Sequence, residues 1–184
     1  MEIKENMLKS RFGIEIEMTG ITREKAATIV AETINGTKHY IGGFYGTWEV
    51  KQQDGRKWSI VSDASIVRQK GNVRTNDSNY AVELVSPILT YREDMEKLQE
   101  IVRALRKGGA ISKAELQCGI HIHLDGEPHT PLSIRNFINI IASKNDLLYK
   151  ALQIKPERMR WCKKMDDNLV RRIKTRRQKT KEAI

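Results

Sequence analysis

An α+β domain, with helices covering one face of an antiparallel or mixed sheet and the other face left open, is predicted by three observations. Segments 11–18, 80–86 and 117–125 alternate apolar and polar residues, so each has one side suited to a core and one suited to water. Helical segments with apolar residues at three- and four-residue spacing follow each of them. The chain has 184 residues, 39% of them hydrophobic and 30% charged, which suits one domain of ordinary size.

In segment 11–18, Phe12, Ile14, Ile16 and Met18 fall on one side and Arg11, Gly13, Glu15 and Glu17 on the other. Thr22 is the expected N-cap of a helix reaching Ile34, with Ala26, Ile29, Val30 and Ile34 on its apolar face and Asn35-Gly36 as its stop. Segments 47–53 and 56–61 flank Asp54-Gly55, a two-residue type I′ signal, and form a hairpin carrying Trp48 and Trp58. Residues 62–79, rich in Ser, Asp, Asn and Gly, read as loop. Segment 80–86 returns to alternation, with Tyr80, Val82 and Leu84 together and Pro87 ending it. Thr90-Tyr91-Arg92-Glu93 fits a capping box opening a helix through Met95, Leu98, Ile101, Val102 and Leu105, closed by Gly108-Gly109. In segment 117–125, Ile120, Ile122 and Leu124 point inward and His121, His123 and Asp125 oppose them. Thr130-Pro131 starts a helix containing Ile134, Phe137, Ile138 and Ile141. There are no internal repeats.

Composition narrows the functional classes. No apolar run approaches the roughly 18–20 residues of a membrane-spanning helix, and residues 1–10 have no signal-peptide h-region, so a soluble cytoplasmic protein without a membrane partner is expected. Cys118 and Cys162 are too few for a disulfide framework and lack zinc-knuckle spacing; both read as reduced thiols. The net charge is +10, but residues 158–184 hold 11 Lys/Arg against Asp166, Asp167 and Glu182, a balance of +8 that leaves +2 for residues 1–157. The expected organisation is therefore one catalytic-type domain over residues 1–157 and a basic C-terminal segment over 158–184.

The chemistry sits on the polar sides of three strands: Glu15 and Glu17, Glu83, and His121 and His123. Residues i and i+2 of a strand point the same way roughly 7 Å apart, so converging carboxylates can serve metal ions about 4 Å apart. Carboxylate oxygens suit Mg²⁺ or Mn²⁺, and an imidazole among them excludes neither. Each pattern alone is ordinary on a solvated strand face; their joint occurrence on strands of the same facing is the signal. Gly42-Gly43 with Gly46 is no phosphate loop, because Lys-Ser/Thr is missing and no clear strand precedes it.

Phe12-Gly-Ile-Glu-Ile-Glu17, then Asp63-Ala-Ser-Ile66 after Trp58, then Glu83-Leu-Val-Ser-Pro-Ile88, then Cys118-Gly-Ile-His-Ile-His-Leu124 closely resemble, in that order, the amidoligase family. That family belongs to the carboxylate–amine ligase superfamily with glutamine synthetase. The resemblance spans about residues 11–125 and extends to the basic stretch 156–164. It implies a glutamine-synthetase-like antiparallel sheet whose open face holds ATP and divalent metal. A carboxylate would be activated there as an acyl phosphate, and an amine would then form the amide, with a peptide or protein among the expected substrates. By motif it implies Glu15, Glu17, Glu83 and His121 as metal ligands and His123 at phosphate or substrate. It further implies Asp63 as a catalytic carboxylate beside Glu17 and Glu83, and Arg158 and Arg160 as phosphate contacts. Family members are usually longer, so a short or C-terminally truncated member is expected. The alternatives are a nucleic-acid- or partner-binding module that keeps the scaffold and uses the basic tail, and a metal-dependent hydrolase or nuclease.

Overall fold

The computed structural model describes residues 2–175, which divide into two compact units between Asp125 and Gly126. The first contains the sheet. In chain order its elements are α1 (Glu2–Lys9), β1 (Arg11–Met18), α2 (Arg23–Ile34), β2 (Thr37–Gly42), β3 (Thr47–Lys51), β4 (Lys57–Val61), the short pair β5 (Gln69–Lys70) and β6 (Val73–Arg74), β7 (Val82–Val85), β8 (Leu89–Thr90), α3 (Tyr91–Lys107) and β9 (Ile120–Leu124). The main sheet runs β2-β3-β4-β7-β1 with every pairing antiparallel. One edge of β1 is shared end to end by β7 and β8, and β9 pairs with the other edge. The α+β class read from the sequence holds, with a mostly antiparallel open sheet.

Alternation decides which face is buried. Ile16, Met18, Val50, Trp58, Ile60, Val82 and Leu84 lie on the side covered by α2 and α3, which contribute Ala26, Ala27, Val30, Leu98, Ile101 and Leu105. Burying each Val, Leu, Ile or Met among them stabilises by about 1.5–3 kcal/mol before chain entropy is charged against it. Trp58 satisfies its buried indole N–H by donating to Gln52 Oε1 at 2.7 Å. Helix α2 begins as predicted, with Thr22 Oγ1 accepting from Lys25 N, and ends on Asn35 in the left-handed conformation at φ 50°.

Several local expectations are corrected. The β3–β4 turn is not two-residue type I′: only Gly55 has positive φ, at 88°, and the connection spans 52–56, closed by Gln52 N to Arg56 O at 2.8 Å. Asp54 caps it by accepting from Arg56 N, so the Asp-Gly pair makes a wider turn. Loop 62–79 contains β5, β6 and a 3-10 turn over Ser78–Tyr80, which takes Tyr80 out of the strand. At α3 the capping box does not form: the Thr90 side chain makes no capping bond, and Thr90 N donates instead to Asp94 Oδ2 at 2.9 Å. Strand β9 faces as predicted, but Ile120, Ile122 and Leu124 are 61–66% exposed, because β9 is a sheet edge that α2 and α3 do not cover.

The second unit has α4 (Pro131–Ala151) and α5 (Asp167–Thr175). Thr130 and Ser133 form a reciprocal capping box with Pro131 in the first turn. Of the apolar residues expected in α4 only Ile138 is buried, and Phe137 is exposed. Ile173 of α5 is fully buried. No described helix is long and apolar enough to cross a membrane.

Candidate functional site

Antiparallel pairing places directly opposed residues on the same face of a sheet. Glu17 of β1 stands opposite Glu83 of β7, and Glu83 also faces Val61 of β4, two residues before Asp63. On the other edge of β1, Glu15 stands opposite His121 and Gly13 opposite His123. Three strands and one loop therefore bring every sequence-predicted candidate of the first unit onto the open face.

The side chains converge. Ligand oxygens of Glu17, Asp63 and Glu83 all lie within 4.8 Å of one another. His121 Nε2 is 3.2 Å from Glu17 Oε1, and His123 Nε2 is 3.1 Å from Glu15 Oε1. Both contacts are diagonal across the β1–β9 ladder, the reach long side chains have beyond the directly opposed partner. Asp63 also accepts from Ser65 N at 2.7 Å, so the turn that the D-x-S element builds aims its carboxylate.

Glu17 is only 4% exposed. A buried carboxylate is costly unless hydrogen-bonded, and Glu17 Oε2 accepts from Gly119 N at 2.6 Å. Sequence reading did not single out Gly119 for this; the sole signal was its place directly before the I-H-I-H stretch. Its backbone N–H fixes Glu17 while leaving Oε1 beside His121.

Four carboxylates, Glu15, Glu17, Asp63 and Glu83, share this face with two imidazoles. Burial, aided by Glu15, Asp63 and Glu17, pushes the Glu83 carboxyl up to about 7, against a smaller opposing effect of His121. Converging acids on a partly buried face with one imidazole beside them are a donor set that fits a hard divalent cation, which would replace their mutual repulsion with attraction.

The remaining candidates belong to the second unit. The Arg160 guanidinium lies 3.5 Å from the centroid of the Trp161 ring and that of Arg158 at 5.0 Å, so both stack on this indole. Of the basic segment, residues 176–184 lie outside the described residues.

The family described as "putative amidoligase enzyme" matches the chain over residues 8–184. No curated protein and no solved structure matches it.

Proposed function

Since the chain belongs to the amidoligase family, we propose that it is an ATP- and Mg²⁺- or Mn²⁺-dependent ligase joining a carboxylate to an amine through an acyl phosphate. The observation that carries this reading is the convergence of Glu17, Asp63 and Glu83 within 4.8 Å, with His121 against Glu17. Phosphoryl transfer needs charge neutralisation and alignment more than covalent help, and acids that gather cations on a rigid sheet supply both. In the proposed reaction a substrate carboxylate oxygen attacks the γ-phosphorus of ATP and ADP departs. An amine nitrogen then attacks the acyl carbon, and phosphate departs as the amide forms.

Glu15, Glu17, Glu83 and His121 would hold the divalent cation, which when bound neutralises phosphate charge. Asp63 completes the acidic wall, held by its bond from Ser65 N. Glu17 keeps its orientation without the ion because Gly119 N holds one oxygen. His123, against Glu15, is the group available to phosphate or substrate, and Arg158 and Arg160 are the proposed phosphate contacts.

The test is positional. With both carboxylate oxygens labelled with ¹⁸O, turnover through an acyl phosphate delivers one ¹⁸O into the released phosphate for each ADP formed. ADP release without label transfer would overturn the acyl-phosphate route. Phosphodiester cleavage in the absence of ATP would instead support a hydrolase.

A further inference from the structure

Beside the acid cluster a second feature of the open sheet face has no role yet: a cavity of about 380 Å³ that shares Glu15 and His123 with the cluster and extends toward Arg11 and Ile88. The size suits a small ligand or the end of a longer one, at the low end of ordinary ligand cavities. Its hollow depends on Gly13, where a Cβ would stand 3.8 Å from His123 Cβ and 4.0 Å from Ser86 Oγ and so bridge the gap between them.

The geometry points to this cavity as the seat of the amine co-substrate, a primary amine carrying an apolar body. Two carboxylates line it: Asp125, to whose Oδ2 the Arg11 Nε donates at 2.7 Å, and Glu15, whose Oε1 lies 3.1 Å from His123 Nε2. With Asp125 paired to Arg11, the charge facing the hollow is that of Glu15, with the carboxylates of Glu17, Asp63 and Glu83 gathered next to it, which favours a cationic head group and disfavours a second carboxylate. Ser86 adds little polarity, since its Oγ accepts from Ile14 N and donates to Pro87 O. Ile88, 64% exposed, gives the rim apolar surface that a hydrocarbon body would cover. An ammonium drawn to Glu15 would have its nitrogen beside the proposed metal-binding carboxylates, where, after release of a proton to solvent, the free amine would meet the acyl phosphate. The assignment of this amine as a co-substrate rests on the ligase reading; the binding preference does not.

The experiment uses the full chain without ATP or metal. Binding of phenethylamine is compared with that of 2-phenylethanol and 3-phenylpropionate by ligand-observed NMR titration. The amine is expected to bind at least tenfold tighter than either, and Gly13→Val and Ile88→Ser are each expected to weaken it at least fivefold. Mn²⁺ binding by the two variants, followed by paramagnetic relaxation, should change less than twofold. Ile88 is exposed, so its variant folds even if a side chain at Gly13 disturbs β1. Equal binding of the three probes, or amine binding that neither variant alters, overturns the proposal. Loss of ATP-dependent turnover with the amine preference intact would sink the ligase reading and leave the cavity's selectivity standing.

Discussion

Replacing Glu17 by glutamine keeps a carbonyl oxygen to accept from Gly119 N and removes the charge that would hold a cation. Glu17→Gln is therefore expected to fold with an unchanged circular dichroism spectrum while ATP turnover falls at least a hundredfold; full activity would remove Glu17 from the site. Glu83 makes a second test, because its carboxyl is pushed from the ordinary 4.5 to about 7. An acid whose folded pKa is raised stabilises the fold fully below its unfolded pKa, and that contribution is lost as pH rises through the folded value. Between pH 5 and 8 the metal-free protein should lose about 1 kcal/mol through Glu83, after discounting for solvent screening, or about 2–4 °C in thermal midpoint. The loss should vanish in Glu83→Gln and shrink with Mn²⁺, as scanning calorimetry at several pH values would show. Glu15, Glu17, Glu83 and the two histidines were legible as candidates because two-residue periodicity declares which face a strand residue occupies. Convergence was not legible: it depends on the register that sets Glu17 opposite Glu83 and on a turn that brings in Asp63.

Elements were most readable where one local rule acted alone. Strand β1 and helix α2 match their sequence limits because alternation, the Thr22 cap and the Asn35 stop agree. At the start of α3 two rules competed. Thr90 and Glu93 promised a capping box, but Asp94 is fully buried, its Oδ1 2.8 Å from an Arg56 guanidinium nitrogen, and it takes the Thr90 N–H with its other oxygen. A buried ion pair is a tertiary event, and no helix-start signal contains Arg56. Burial here does not abolish the charge: hydrogen bonds from Arg56 and Thr90 N hold the Asp94 carboxyl below its ordinary value although desolvation, the largest single influence, raises it. Asp94→Ala strips both bonds and leaves Arg56 with Asp54 and a long bond to Ile88 O. A destabilisation of about 3 kcal/mol is expected from chemical denaturation, whereas Glu93→Ala should cost under about 0.5 kcal/mol. Equal costs would restore Glu93 as the cap. Strand β9 shows the complementary limit: alternation predicts which way Ile120, Ile122 and Leu124 face, but not whether a helix reaches the sheet edge to cover them.

At the scale of the whole molecule, charge separates the ligase from a polynucleotide-binding module. Residues 158–184 carry a balance of +8 out of the total +10. A segment gripping a phosphate backbone uses all its cations, and log affinity then falls with log salt by roughly 0.7–0.9 for each phosphate neutralised. An ATP site needs only the cations that reach it, Arg158 and Arg160 in the proposed reading. Structure sets where a cut can test this. Helix α5 buries Ile173, so a truncation before it would damage the second unit, whereas removal of residues 176–184 takes away Arg176, Arg177, Lys179 and Lys181 together with Glu182 and keeps Asp167–Thr175. This deletion is expected to keep ATP affinity within twofold, as measured by isothermal calorimetry with Mg²⁺. Arg160→Ala is expected to weaken it by about 1.5–3 kcal/mol, the scale of a hydrogen bond to a charged group. Under the binding-module reading the pattern inverts: the deletion would lower the salt slope of RNA or DNA binding by about three or four, and Arg160→Ala would leave ATP unaffected because no ATP site would depend on it.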